Sequence, residues 1–222
     1  MTTTYWVGAA MTAVGLLVTL VADRGERPML EWVSKPLAAI GFLVAAIGAG
    51  CFASQYGSVL FVGLVFCVGG DVLLIPRGSK GAFLGGLGSF LLGHVVFAVA
   101  FFVRGVELQT FALAAIPLII FGVGVLRWLG PHVPDRMVLP VRAYIAAILI
   151  MVAAAAGASA FGGPKTIVIG ALAFMVSDLF VARNRFVAPG FVNRIWGLPL
   201  YFGGQLILAS TAVVGPVNTC GL

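Results

Sequence analysis

Apolar segments long enough to cross a lipid bilayer recur along almost the whole chain. An α-helix needs about 20 predominantly apolar residues to span the hydrocarbon core. Only 9% of the 222 residues are charged and 61% are hydrophobic, whereas soluble domains carry about 25% charged residues. The sequence therefore predicts an all-α, polytopic membrane protein with a single transmembrane domain over residues 1–222. Its eight predicted transmembrane helices lie at about residues 5–22, 36–52, 59–75, 82–103, 108–126, 141–161, 166–182 and 195–214.

The basic residues concentrate on one side of this predicted bundle. The opposite side holds only Arg104 and Lys165. Positive charge marks the cytoplasmic side of membrane proteins, so we expect an integral protein of the cytoplasmic (plasma) membrane with both termini outside. The net charge of +6 is explained in this way, and no nucleic-acid partner is predicted. The odd-numbered loops, which form the basic face, hold eleven of the 13 Lys and Arg residues: Arg24, Arg27, Lys35, Arg77, Lys80, Arg127, Arg136, Arg142, Arg183, Arg185 and Arg194.

Two acidic residues, Asp71 and Asp178, stand inside predicted transmembrane helices. Asp71 lies five residues before Pro76, and Asp178 lies five residues before Arg183. At 1.5 Å per residue, each carboxylate is roughly 7–8 Å below the basic face. Ionisable residues within a membrane are functional by default, although a structural role as a helix cap or hydrogen-bond acceptor is the alternative.

The surroundings of the two aspartates resemble each other, which indicates an internal repeat. The segments GLVFCVGGD and GALAFMVSD each place a glycine eight residues before the aspartate. Each aspartate also belongs to the third helix of a four-helix half. We therefore predict two parallel halves, related by an axis along the membrane normal, which brings the two carboxylates to equivalent places.

Two carboxylates in one apolar pocket make an acid and a base available together. No basic side chain falls in the interior of a predicted apolar segment, since Arg142 lies at the very start of its own, so we expect neither Asp71 nor Asp178 to have an ion-pair partner. Two nearby carboxyl groups out of water do not both ionise readily, so we expect one neutral and one ionised group.

Four further polar residues have both a functional and a structural interpretation. His94 and Gln205 lie midway along helices 4 and 8, where a packing role is the alternative to a role in the site. Lys35 precedes Pro36 at the predicted start of helix 2, where snorkelling of its side chain to the interface is the alternative to a role in the site. Tyr144 is either a site residue or an interfacial aromatic.

Metal, disulfide and serine chemistry have no support in the sequence. His132 lies in a loop, so His94 has no second histidine for a zinc or haem site. The cysteines Cys51, Cys67 and Cys220 are odd in number and widely spaced, which predicts neither a disulfide framework nor a metal site. No G-x-S-x-G nucleophile elbow or phosphate-binding loop is present. No cofactor is predicted.

Six segments of the chain form a recognisable series. In order, they are SKPL, GDVLL, AFLGGLGSFLLGH, RAYIAAILIM, SDLFVARNRF and YFGGQLILAS. Through these segments the chain resembles the YhhN-like lysoplasmalogenase family of eight-helix membrane enzymes over residues about 35–210. It departs from the family at Phe97, where a tyrosine is common, and at Phe202, which follows Tyr201.

The resemblance implies hydrolysis of the vinyl ether bond of a lysoplasmalogen. The products are a fatty aldehyde and glycerophosphoethanolamine or glycerophosphocholine, and the partners are the lysophospholipid, water and membrane lipids. Asp71 and Asp178 are the expected catalytic residues: one protonates the alkene carbon, and the other stabilises the oxocarbenium ion and activates water, as in glycoside hydrolysis. The expected substrate-binding residues are Lys35, which meets the phosphate, and His94, Tyr144, Tyr201 and Gln205, which line the pocket. No metal is implied.

Two other functions fit some of the same features. Parallel repeats and intramembrane carboxylates also occur in proton-coupled transporters of lipid-like or small polar substrates. Carriers commonly have helices broken by Pro or Gly at mid-span; here Pro117 and Pro199 lie deep within apolar segments, but neither segment carries an aspartate. A non-catalytic lipid-binding or scaffold protein is the third possibility, and it would make the aspartates structural.

Overall fold

A computed structural model describes residues 1–76 and 78–213. Arg77, Cys220 and the C-terminus, on each of which a prediction falls, lie outside the described residues. Within the described part, the chain forms helices and no β-strand. The eight α-helices are α1 (Thr3–Arg24), α2 (Pro28–Gly48), α3 (Gln55–Leu73), α4 (Lys80–Arg104), α5 (Leu108–Leu129), α6 (Asp135–Ala160), α7 (Thr166–Ala182) and α8 (Phe191–Ser210).

The helices have the length and composition of membrane spans, which confirms an all-α, polytopic membrane protein. Seven of the eight, α1 to α7, are long and apolar enough to cross a bilayer. The eighth, α8, has 20 residues and packs against α7, α2 and α1. Its polar residues Asn193, Arg194 and Gln205 lower its hydropathy, and they bring polar groups into the bundle.

Two helices begin well before their predicted starts. The second begins at Pro28, eight residues before Pro36, and the sixth begins at Asp135, six residues before Val141. Proline suits the first position of a helix, because its missing N–H would have no intrahelical partner there. Glu31 and Asp135 lie in the first turns, where acidic side chains interact favourably with the helix dipole.

Helix packing follows the order expected for two equivalent halves. Within the first half, α1 packs against α2 and α3 against α4; within the second, α5 packs against α6 and α7 against α8. Between the halves, α4 packs against α6 and α2 against α8, which are equivalent pairs. The parallel repeat itself remains a prediction, and this exchange of equivalent contacts supports it.

Glycines allow close approach where the helices that carry the aspartates pack on their neighbours. A Cβ on Gly70 of α3 would lie 2.6 Å from the ring of Phe90 in α4. A Cβ on Gly170 of α7 would lie 2.8 Å from Leu208 in α8. Small residues at such contacts let membrane helices approach closely, and here they hold each aspartate helix against the helix that supplies a partner to the other aspartate.

Candidate active site

Asp71 belongs to a buried cluster with Lys35 and Tyr201. The Lys35 ammonium lies 3.3 Å from Oδ1 of Asp71 and donates a hydrogen bond to the Asp71 carbonyl oxygen at 3.1 Å. The Tyr201 hydroxyl donates to Oδ2 of the same carboxylate at 2.6 Å. The prediction that Asp71 has no ion-pair partner is therefore wrong.

The early start of α2 explains this ion pair. Because α2 begins at Pro28, Lys35 stands two turns inside the helix and is only 6% exposed. The alternative in which Lys35 snorkels to the interface is therefore also wrong. A buried ammonium is costly unless it is paired, and Asp71 of α3 supplies the pairing charge.

Asp178 belongs to a second cluster, with His94 and Tyr144. Nε2 of His94 lies 3.0 Å from Oδ2 of Asp178, and the Tyr144 hydroxyl donates to Oδ1 at 3.1 Å. Nε2 of His94 is also 3.3 Å from the Tyr144 hydroxyl, and Nδ1 is 3.3 Å from Sδ of Met151. Each oxygen of Asp178 thus has its own polar partner.

A single phenyl ring, that of Phe174, contacts both clusters. Its centroid lies 4.2 Å from that of His94 and 5.5 Å from that of Tyr201. Phe90 packs edge-on against Tyr201, with centroids 5.6 Å apart. These aromatic rings place the two carboxylate clusters side by side in one apolar wall.

The two clusters are built from equivalent positions of the two halves. Asp178 lies 107 residues after Asp71, and Tyr201 lies 107 residues after His94. Each carboxylate is bound by a residue of its own half's second helix, Lys35 or Tyr144, and by a residue of the other half's fourth helix. Each cluster therefore needs both halves to be in place.

A cavity of about 920 Å³ joins the two clusters. Its volume lies near the upper end of the range typical of small-molecule sites, about 300–1,000 Å³. Five predicted site residues line it: Asp71, Asp178, Lys35, Tyr144 and Tyr201. Its apolar walls include residues of α5 and α6, namely Phe121, Val125, Val141, Ile145, Ile148 and Leu149. The cavity therefore has an apolar arm, lined by these residues of α5 and α6, and the two carboxylates lie on a different wall.

Two predicted pocket residues, His94 and Gln205, do not line this cavity. His94 is fully buried behind Asp178, so its place in the site is that of a partner to the carboxylate. Gln205 is also fully buried, and its side chain has no hydrogen-bond partner among the described residues. It stands one helical turn beyond Tyr201, about 6 Å farther from the basic face.

The mouth of the cavity lies at the basic face and carries three arginines. Arg194 is paired with two acids, Asp23 at 3.2 Å and Glu31 at 2.8 Å. The guanidinium of Arg185 stacks on Phe83 at 4.1 Å. Arg24, the third, lies 5.8 Å from the centroid of the Phe191 ring. The mouth therefore offers cationic groups to an anionic ligand.

Sequence reasoning missed the Lys35 ion pair and the bridging role of Phe174. A signal for the first was present, because Glu31, Lys35, Ala38, Ala39 and Phe42 follow helical spacing. All five residues are buried. That spacing, continued upstream from the apolar segment, places Lys35 on the inward face of α2.

No metal centre forms in the part of the chain that the structure describes. No group of three or more His, Cys, Asp or Glu side chains comes together there in a way that could hold a metal ion. The two clusters instead combine each carboxylate with a tyrosine and a single basic side chain, which is an arrangement suited to proton transfer.

Comparison with known proteins gives one family and several relatives. The sequence matches the YhhN family over residues 30–212. It is 30% identical over 195 residues to Lysoplasmalogenase TMEM86A of Bos taurus, covering 82% of this chain and 79% of the relative. It is 28% identical over 207 residues to a lysoplasmalogenase of Mycobacterium tuberculosis, covering 89% and 76%. No solved structure matches the chain significantly.

Proposed function

Because this chain belongs to the YhhN family, we propose that it hydrolyses the vinyl ether bond of lysoplasmalogens. The products are a fatty aldehyde and a glycerophospho-head group carrying ethanolamine or choline. Relatives named lysoplasmalogenase support the reaction. One structural observation carries the proposal: two buried carboxylates with different partners line one cavity, which has an apolar arm and a cationic mouth.

The partners of the two carboxylates assign them different charge states. An ammonium at 3.3 Å, together with the hydroxyl of Tyr201, stabilises Asp71 as a carboxylate. His94 and Asp178 lie 3.0 Å apart and share one proton between Nε2 and Oδ2. Asp178 is the member of this pair that lines the cavity, so we assign it as the proton donor.

The first chemical step is protonation of the alkene. Asp178 gives its proton to the β-carbon of the vinyl ether, and the alkene's π electrons form the new C–H bond. The ether oxygen then shares the positive charge of an oxocarbenium ion. The Asp71 carboxylate stabilises this cation electrostatically, as the second carboxylate of a glycosidase does.

Water completes the reaction. It adds to the carbon beside the ether oxygen, with Asp71 orienting it, and returns one proton to the His94–Asp178 pair. The hemiacetal then collapses to the aldehyde and the free glycerol hydroxyl, so that one water is consumed and the pair regains its proton. Tyr144 and Tyr201 position the carboxylates through their hydroxyl groups.

The phosphate of the substrate binds at the cavity mouth in this proposal. Lys35 was predicted to meet it, but its ammonium is engaged twice by Asp71. Lys35 still lines the cavity and is left to contact the glycerol oxygens. Arg24 and Arg185 stand on aromatic rings at the mouth, and we assign the phosphate to them.

The direct test is aldehyde release by the purified protein in lipid nanodiscs. An alkenyl lysophospholipid and its saturated alkyl ether analogue are compared in heavy water. The proposal requires aldehyde from the alkenyl lipid only, with one deuterium on the carbon next to the carbonyl group. Transport of the lipid without aldehyde formation would favour the carrier function.

A further inference from the structure

A groove on the outer surface of α5 and α7 adjoins the cavity. It is lined by Phe121, Gly124, Val125, Trp128, Leu179, Phe180 and Arg183. Four of these residues, Phe121, Val125, Leu179 and Phe180, also line the interior cavity. The cavity and the groove are therefore two sides of one thin wall, which is a single layer of side chains.

This wall stands where α5 meets α7. The fifth helix packs mainly against α6, and its contact with α7 is much smaller. Its buried residues are only Gly122, Val125 and Leu129. Val125 and Leu129 form a small apolar cluster with Val141, which is separate from the main core, and Leu179 of α7 packs against this cluster. The contact between α5 and α7 is thus a small apolar one, and its local opening costs less than opening the main core.

The groove lies at the basic-face ends of α5 and α7, next to the assigned proton donor. Its lining residues occupy the last two to three turns of α5 and the end of α7, on the side of the basic face. Trp128 and Arg183 stand at its outer end, as residues at the membrane interface do. Leu179 and Phe180 directly follow Asp178, the assigned proton donor. In a lysoplasmalogen, the vinyl ether joins the hydrocarbon chain to the interfacial glycerol.

We propose that the α5–α7 groove is a lateral portal, through which the hydrocarbon chain of a single-chain lipid passes from the basic-face leaflet into the cavity. The head group stays at the interface beside Arg183 and the cationic mouth, while the chain enters sideways between Phe121 and Phe180. This inference rests on the proposed function, because the lipid it admits is the substrate of that reaction.

Two glycines offer a matched test of the portal. A Cβ on Gly124 meets nothing within 4 Å, so a side chain can be added there, and a leucine is expected to fill the groove. Gly88 of α4 is likewise exposed, with nothing within 4 Å of a Cβ, and it lines neither the groove nor the cavity. Gly88→Leu therefore controls for added apolar bulk on a lipid-facing helix.

The experiment compares a long-chain lysoplasmalogen in nanodiscs with a water-soluble, short-chain alkenyl glycerophospholipid that reaches the cavity from its mouth. Gly124→Leu is expected to lower kcat/KM at least about tenfold for the long chain and less than about twofold for the short one. Gly88→Leu should change neither. Equal losses for both substrates with Gly124→Leu, or no loss, would overturn the portal.

A second readout separates failure of the portal from failure of the enzymatic proposal. A lysophospholipid with a photoreactive group on its chain is crosslinked to the protein in nanodiscs, and the labelled peptides are identified by mass spectrometry. Labels are expected on residues 121–128 and 179–183, and Gly124→Leu should remove them. Wild-type labelling without any aldehyde release would reject the hydrolase but keep the portal. Labels spread evenly over α4 and α5 would reject the portal whatever the activity.

Discussion

The ammonium of Lys35 lies 3.3 Å from the carboxylate of Asp71, and both side chains are buried. The pair joins α2 to α3 at the wall of the cavity, where Tyr201 of α8 completes it. A buried ion pair of this kind is weak evidence for stability, because its desolvation offsets much of its attraction. In the proposed mechanism, the pair keeps Asp71 as a carboxylate next to the reacting bond.

Removal of Lys35 should therefore affect both stability and turnover. Lys35→Met leaves the Asp71 charge buried without its partner, which costs about 3–5 kcal/mol in comparable pairs. We expect a lower unfolding free energy and a lower kcat. The double variant Lys35→Met/Asp71→Asn, which removes both charges, should recover much of the stability and none of the activity.

Lys165 provides the control for loss of a lysine charge. Lys165 is exposed just before α7 and does not line the cavity, so Lys165→Met should leave unfolding and kcat unchanged. Denaturant unfolding in detergent micelles, with aldehyde release measured in parallel, decides the matter. Equal stability of Lys35→Met and wild type would show that the ion pair does not exist in the folded protein.

The contact between His94 and Asp178 predicts that His94 takes part in turnover. His94→Asn removes the imidazole whose Nε2 lies 3.0 Å from Oδ2 of Asp178, and it should reduce kcat by about a hundredfold with little change in KM. Rates of aldehyde release over a range of substrate concentrations separate the two constants. A wild-type kcat for a folded His94→Asn protein would reduce His94 to a packing role.

The number of helices and the pair of aspartates could be predicted from the sequence, because hydropathy and a charge within an apolar segment are local properties. The start of α2 could not be predicted in the same way. It depends on Pro28 and on the tertiary pairing of Lys35 with Asp71. Lys35, which the sequence places at the interface, is for this reason buried in the structure.

The equivalence between the two halves shows a similar limit. Gln205 was matched to His94 because both lie midway along apolar segments. The spacing of the aspartates selects Tyr201 instead, and the structure places Tyr201, not Gln205, beside a carboxylate. Tyr201 and Gln205 lie one helical turn apart on α8, and the hydropathy pattern alone does not show which of them is equivalent to His94.

The proposed phosphate site at the mouth of the cavity predicts that loss of one of its arginines weakens substrate binding. Arg185→Gln should raise KM about tenfold or more, since a hydrogen bond to a charged group contributes about 1.5–3 kcal/mol, and should change kcat little. Arg136 is an exposed arginine of the same face that does not line the cavity, so Arg136→Gln is the control. A KM for Arg185→Gln equal to that of the control would move the phosphate site elsewhere.

The orientation of the protein in the membrane remains a prediction from its charge distribution. We expect the basic face in the cytoplasm and both termini outside. Single cysteines at positions 136 and 165, introduced into a variant without its native cysteines, should label from opposite sides of intact cells. Position 165 should react with an impermeant reagent, and position 136 only after permeabilisation. Reaction of both without permeabilisation would contradict the orientation.

The rate of aldehyde release by Asp178→Asn, with lysoplasmalogen in nanodiscs, tests the two-carboxylate mechanism most directly. Asparagine is nearly isosteric with the neutral acid and leaves no carboxylate charge buried, so unfolding and lipid binding should match those of wild type. The amide has no proton to give the alkene, and kcat should fall at least about a hundredfold. Wild-type turnover by a folded Asp178→Asn protein would contradict the two-carboxylate mechanism.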